Sequence, residues 1–276
     1  MISFFTQAMS MPFMQRAVIV GALISLCAAL LGVNLVLKRY SMIGDGLSHV
    51  GFAALAIASA VGAAPLQVAL PLVIVAAFLL LRISENSKIR GDAAIALIAT
   101  GALAIGVIVS SLSGSNTDLN SYLFGSLLVV ESSDVVLTVA LSVVVLIMFV
   151  LLYNRIFAVT FDEVFTRSAG ARVGLINIFI SIMAAVTIVL GMRMMGTLLI
   201  SSLIIFPAIT SMRVCKRFRS VTITSAVISI VCFFVGIISS YIFSIPTGAG
   251  IVAVNLVALC LFSMVSFFIG KLKNPA

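Results

Sequence analysis

Nothing restricts this chain as much as its succession of apolar runs. A membrane-spanning helix needs about 20 mainly apolar residues. Nine runs qualify or nearly qualify: 13–37, 42–62, 65–81, 93–112, 135–153, 173–191, 195–212, 221–243 and 251–269. Of the 276 residues 63% are hydrophobic and only 9% charged, with a mean hydropathy of +1.35. Soluble domains carry about a quarter charged residues, so this is an integral membrane protein. No segment is polar enough to bury a separate soluble core, which predicts one all-α polytopic domain over residues 1–276.

The net charge of +8 would suggest nucleic acid in a soluble chain. Here the basic residues stand in short loops between spans, the positive-inside pattern, so they set orientation and no nucleic-acid partner is expected. Lys38 and Arg39 follow the first run, Arg82, Lys88 and Arg90 flank the third, and Arg155, Arg167 and Arg172 follow the fifth. Arg213, Lys216, Arg217 and Arg219 follow the seventh, and Lys271 and Lys273 close the chain. The intervening connections at 63–64, 113–134, 192–193 and 244–250 carry almost no positive charge. Nine crossings with the amino terminus outside satisfy this alternation best. Eight remain compatible, because 65–81, 173–191 and 195–212 are short or closely joined. Gly191 and Gly196 would allow one tilted or re-entrant helix there.

Residues 1–12 lack a basic n-region, and the run behind them is too long for a signal-peptide core, so no cleaved leader is expected. Cys27, Cys215, Cys232 and Cys260 stand singly and read as small hydrophobes. Two connections stand out by length. One is external, over 113–133, whose apolar half from Tyr122 to Leu128 is too short to cross and reads as a re-entrant or interfacial segment. The other is cytoplasmic, over 154–172. There Thr160 is a candidate N-cap, Asp162 and Glu163 suit a helix start, and Gly170 suits a helix stop. Such a short helix is either a grip for a cytoplasmic partner or a solvated connector.

The chain's one histidine, His49, follows Asp45 by four residues in the stretch Ser41-Met42-Ile43-Gly44-Asp45-Gly46-Leu47-Ser48-His49. That spacing stacks both side chains on one helix face. Counted along a helix from Arg39, Asp45 lies about 9 Å and His49 about 15 Å into a core about 30 Å thick. Ionisable groups at such depth mark functional sites by default. An imidazole and a carboxylate suit Zn2+, Mn2+ or Fe2+. They also suit a proton relay, or a polar pair that only tightens packing. Two ligands are too few to hold a metal firmly, which fits conduction, and two copies of the chain facing each other would double the set.

Pro207 interrupts a span and frees the carbonyl of Leu203, giving an ordinary kink or, with Gly191 and Gly196, a gate or hinge. Asn34 and Asn255 read as interhelical glue or accessory ligands. Residues 244–250 are turn chemistry. No GxxxxGK[ST], HExxH or GxSxG stretch is present, so an enzyme is not expected and any ATP hydrolysis falls to another polypeptide.

The segment Met42-Ile43-Gly44-Asp45-Gly46-Leu47-Ser48-His49 resembles that of the membrane permease subunits of ABC-type zinc and manganese importers. The likeness extends to Phe13-Met14-Gln15-Arg16-Ala17, Tyr122-Leu123-Phe124-Gly125, Thr160-Phe161-Asp162-Glu163, Gly196-Thr197-Leu198-Leu199, Pro207-Ala208 and Pro246-Thr247. It departs at Gly46 and at Phe165-Thr166, where the family has other small or branched residues. The resemblance implies a multi-pass protein of the bacterial inner or plasma membrane with eight or nine spans. It also implies a homodimer, two cytoplasmic ABC ATPase subunits, and an extracellular or periplasmic metal-binding protein. Asp45 and His49 would line the path of a transported ion, with no permanently bound cofactor. A coupling helix over 161–170, with Phe161, Asp162, Glu163, Ala169 and Gly170, would seat in the ATPase. The stretches 13–17 and 122–126 look closest to zinc permeases, so Zn2+ is expected ahead of Mn2+. A proton-coupled secondary metal carrier using the same Asp/His pair is the alternative.

Overall fold

The structure, a computed structural model, describes residues 12–86, 91–113, 125 and 132–273. The described residues form nine long helices and one short one. They are α1 (Pro12–Leu37), α2 (Ile43–Val61), α3 (Pro65–Asn86), α4 (Gly91–Leu112), α5 (Ser132–Phe161), α6 (Glu163–Ser168), α7 (Val173–Met195), α8 (Thr197–Val214), α9 (Phe218–Phe243) and α10 (Thr247–Lys273). Among the described residues eight helices are long and apolar enough to cross a bilayer; the apolar part of α3, Leu66–Leu80, falls short. Of the three doubtful runs, the two around Gly196 are thus separate helices, and 65–81 is the weak one. The external segment expected over 113–133 lies outside the described residues except at Ser113, Gly125 and the start of α5.

Three element boundaries differ from expectation, each for a local reason. Helix α5 does not stop at Tyr153 but continues to Phe161. No Gly or Pro interrupts 154–161, and Ile156 and Val159 are buried against the core, so the helix extends to about 45 Å, well past the hydrocarbon. Thr160 is therefore not an N-cap: it lies inside α5, its hydroxyl donating to the Ile156 carbonyl at 2.5 Å. Met192 and Arg193 are helical rather than a loop, because the chain reverses only at Gly196, where φ is +88°. That left-handed value costs glycine nothing.

Lipid tails are as apolar as leucine, so close packing and hydrogen bonds, not water exclusion, join helices in a bilayer. Helices α1 and α7 form the centre, with 67% and 72% of their most apolar windows buried, against 22%, 22% and 17% for α4, α5 and α10. Along the antiparallel pair α1 and α9, Ser229 Oγ donates to the Ser25 carbonyl at 3.0 Å and Ser225 Oγ to the Ala29 carbonyl at 3.3 Å. Between α1 and α8 the backbones nearly touch: a Cβ on Gly32 would stand 2.1 Å from the Ile204 carbonyl oxygen. At one end of the bundle the start of α9 is pinned by Phe218, whose ring lies 5.2 Å from Phe157 and 5.5 Å from Tyr153 of α5. Lys38, Glu163 and Asn177 meet at the same end.

Candidate functional site

Helix α2 carries the candidate pair. His49 Nε2 and Asp45 Oδ2 lie 3.6 Å apart on one face, with 20% and 45% of their side chains exposed. Ser48 Oγ turns back to donate to the Asp45 carbonyl at 2.7 Å. His49 Nδ1 is buried and has no hydrogen-bond partner among the described residues. Nearby, Ser201 Oγ of α8 is buried and equally unpartnered.

The pair does not sit at the depth counted along a continuous helix from Arg39. Residues 38–42 are turns, not helix: Tyr40 N–H reaches the Leu35 carbonyl at 2.8 Å, Arg39 adopts φ +62°, and α2 begins at Ile43. Asp45 is therefore in the first turn of α2 and His49 in the second. Packing, not distance along a helix from Arg39, sets their level. Gly44 lies against Ser201 and Ile204, and Ile204 lies against Gly32, five residues (32 to 37) before the end of α1. That is about 7.5 Å in from that helix end. Higher on α2, Gly51 meets Met192 of α7.

The same contacts orient the face. Gly44 and Gly51 turn toward α8 and α7, while Gly46 and Phe52 meet Ile95 and Gly106 of α4. At about 100° per residue, with Gly44 at 0°, Asp45 and His49 fall at about 100° and 140°, between Phe52 at about 80° and Gly46 at about 200°, so they share the side of α2 that meets α4. That side is only partly covered at Asp45. Helix α2 enters without a side-chain cap at Met42, and a carboxylate in its first turn is favoured by the helix dipole.

Among the described residues no group of three or more His, Cys, Asp or Glu side chains converges. The pair is thus a two-donor site. Ligands about 2.1 Å from one ion lie about 3 Å apart at a right angle and about 3.5 Å apart at a tetrahedral one. The observed 3.6 Å is wider than a good hydrogen bond and close to that ligand separation.

The other singled-out residues lie elsewhere. Gly191 stays helical in α7, its bare face filled by Ile200 of α8, and Gly196 makes the reversal. A Cβ on Gly125, itself at φ +69°, would stand 2.3 Å from the Met195 carbonyl carbon, so the external segment reaches this turn at that residue. Pro207 is buried inside α8, which continues through it to Val214. Asn34 donates to Thr160 Oγ1 across α1 and α5, and Asn255 donates to Ile251 of its own helix at 2.9 Å. Both serve packing.

At the bundle end the segment expected to be cytoplasmic contains α6. Asp162, extended at φ −147°, caps it by accepting from the Phe165 N–H at 2.8 Å. Phe161 ends α5, Glu163 opens α6, Ala169 closes it, and Gly170 leaves it at φ +83°. Phe161, Val164 and Phe165 are exposed. Glu163 is held from three sides: Lys38 Nζ at 3.8 Å, Arg167 at 3.4 Å and Asn177 Nδ2 at 3.5 Å. Lys38 in turn donates to Asn177 Oδ1 at 2.7 Å. Sequence reasoning assigned Lys38 only to topology and did not single out Asn177. No local signal joins positions 38, 163 and 177.

A bundle of apolar helices with a polar pair inside one span and a capped amphipathic helix at one end defines a multi-pass, all-α cell-membrane protein. Over residues 10–267 the chain matches the ABC 3 transport family, and it belongs to that family. It is 30% identical to the manganese import system permease protein ScaB of Streptococcus parasanguinis, over 93% of this chain and 90% of that one. It is 32% identical to a probable metal transport system membrane protein of Thermotoga maritima, over 93% and 91% of the two chains. Among solved structures it resembles PsaBC from Streptococcus pneumoniae in complex with Fab, with a TM-score of 0.85, 27% identity, and coverage of 99% of this chain and 100% of that one.

Proposed function

We propose that this chain is the membrane permease subunit of an ATP-driven importer of a divalent transition metal ion, with Asp45 and His49 as the intramembrane stopping point. The observation that carries the reading is the 3.6 Å separation of Nε2 and Oδ2 on one partly open face, near the spacing of two ligands on one ion. Two donors bind weakly, as a conducted ion requires. The partly exposed Asp45, on the side of α2 that meets α4, leaves room for a second copy to bring its own pair, which supports a homodimeric pore. The exposed Phe161, Val164 and Phe165 of the coupling segment suit a cytoplasmic ATPase, one per permease, which would hydrolyse ATP. An extracellular metal-binding protein would deliver the ion.

The cargo reading shifts from the sequence-based expectation. Stretches 13–17 and 122–126 lean to zinc, whereas the relatives named for a metal carry manganese, so Mn2+ becomes the first candidate. A carboxylate and an imidazole accept both, with Zn2+ intrinsically tighter, so these two donors alone do not select manganese. A proton-coupled carrier would use the same two groups, but membership of an ABC family supports ATP-driven transport. Uptake of radioactive manganese, with zinc as competitor, in cells carrying Asp45→Asn or His49→Ala tests the site. Both variants should lose uptake while reaching the membrane; wild-type rates in both would remove the pair from the path.

A further inference from the structure

Between the Asp45/His49 pair and α6 runs a polar linkage that starts from Glu163 of α6. Lys38 follows α1 directly, and its ammonium, whose side chain is only 13% exposed, lies 2.7 Å from Asn177 Oδ1 of α7 and 3.8 Å from Glu163 Oε2, the first residue of α6. A charge so covered is held by its partners, because separating it from them leaves it uncompensated. Displacement of α6 therefore either drags Lys38 or breaks the pair.

The chain on the two sides of Lys38 differs in freedom. Upstream, α1 is locked by the Gly32–Ile204 approach and by its hydrogen bonds with α9. Downstream come the turns of residues 39–42, opening with Arg39 at φ +62°, a left-handed conformation that a side chain bears only under constraint. Then α2 begins, with Asp45 in its first turn. Beside this joint is a cavity of about 250 Å3 bounded by Lys38, Tyr40, Glu163 and Asn177. Packed cores resist sliding, whereas a joint flanked by open space can turn.

We propose that the Lys38–Glu163 pair, seated on Asn177, is the linkage that passes movement of α6 to the start of α2 and so to Asp45 and His49. Lys38 is a positioning residue: it touches neither ion nor ATPase, and it ties the orientation of the metal pair to the position of α6. This rests on the importer reading above.

The test uses the full chain assembled with its ATPase in vesicles, with Mn2+ as probe, and reads ions taken up per ATP hydrolysed. Lys38→Met is expected to keep ATP hydrolysis and to lose about tenfold in that ratio, a typical coupling between sites. Lys38→Arg, which keeps the charge, should stay within about twofold. Glu163→Gln should lower the ratio as Lys38→Met does, and the double variant should lose clearly less than the two single losses combined, because the Lys38–Glu163 pair is common to both. A wild-type ratio in Lys38→Met, or additive losses in the double, overturns the proposal. A second readout is independent of transport: amide exchange over 40–47 should respond to ATP in the wild-type complex, and no response overturns the linkage even if Lys38→Met fails to insert. Asp45→Asn is run alongside. If it imports normally while Lys38→Met uncouples, the metal-pair reading falls and the route from α6 to α2 stands.

Discussion

The Asp45/His49 pair and the Lys38–Glu163–Asn177 cluster are both polar groupings in an apolar protein, yet they are built in opposite ways. The pair comes from one helix at a spacing of four, so α-helical geometry alone brings the groups together. The cluster draws on the end of α1, the start of α6 and the first turns of α7, and only the folded bundle unites them. The pair is partly open, with one imidazole nitrogen left unpartnered among the described residues. The cluster's lysine is covered and engaged by two partners. A partly open pair can take a further partner; a closed cluster holds three elements together.

The sharpest way to break this contrast is at the pair. His49→Ala or Asp45→Ala should lower metal uptake by about a hundredfold or more, since even residues that merely support a metal ligand cost 10- to 100-fold when lost. Thermal stability in detergent should barely change. If stability falls while uptake persists, the pair is a packing device and resembles the cluster after all. Next in size comes the frame that holds both regions. Gly32→Leu places a side chain where even a Cβ would lie 2.1 Å from the Ile204 carbonyl, so α1 and α8 must part, at a cost of about 3 kcal/mol. A lowered melting temperature with weakened uptake checks it.

Smaller effects are expected within α6. Asp162→Ala removes the cap bonded to the Phe165 N–H and should cost about 1 kcal/mol of local helix stability, seen as faster amide exchange at Phe165 with the remaining helices unaffected. Smallest of all is Arg167→Ala. Its bond to Glu163 is an exposed i,i+4 pair worth about 0.3–0.5 kcal/mol, so uptake should stay at the wild-type level. An effect as large as that expected of Lys38→Met would show that the cluster works as an undivided network.

Much of this was legible in the residues themselves. The apolar runs foretold the helices, the spacing of four the stacked pair, and Asp162-Glu163 with Gly170 the short helix at the bundle end. What stayed hidden was where apolar helices stop. Residues 154–161 and 192–193 are expected as loop but remain helical, because burial of Ile156, Val159 and Met192 against neighbours sustains the helix. Thr160 and Asp162 are equally good caps by residue type. The backbone at Asp162 is extended while that at Thr160 is helical, so the cap falls to Asp162.

By itself, then, the sequence determined what local chemistry can determine: a chain too apolar for water, a set of helices, and two metal-type donors one turn apart. The tertiary structure alone decided which helices lie at the centre, that α2 begins at Ile43 rather than at Arg39, and that Lys38 meets Glu163 and Asn177. The reason is physical. Periodicity acts over a few residues and can be read from their order, whereas contacts between positions more than a hundred residues apart depend on how the helices pack, which no short stretch encodes.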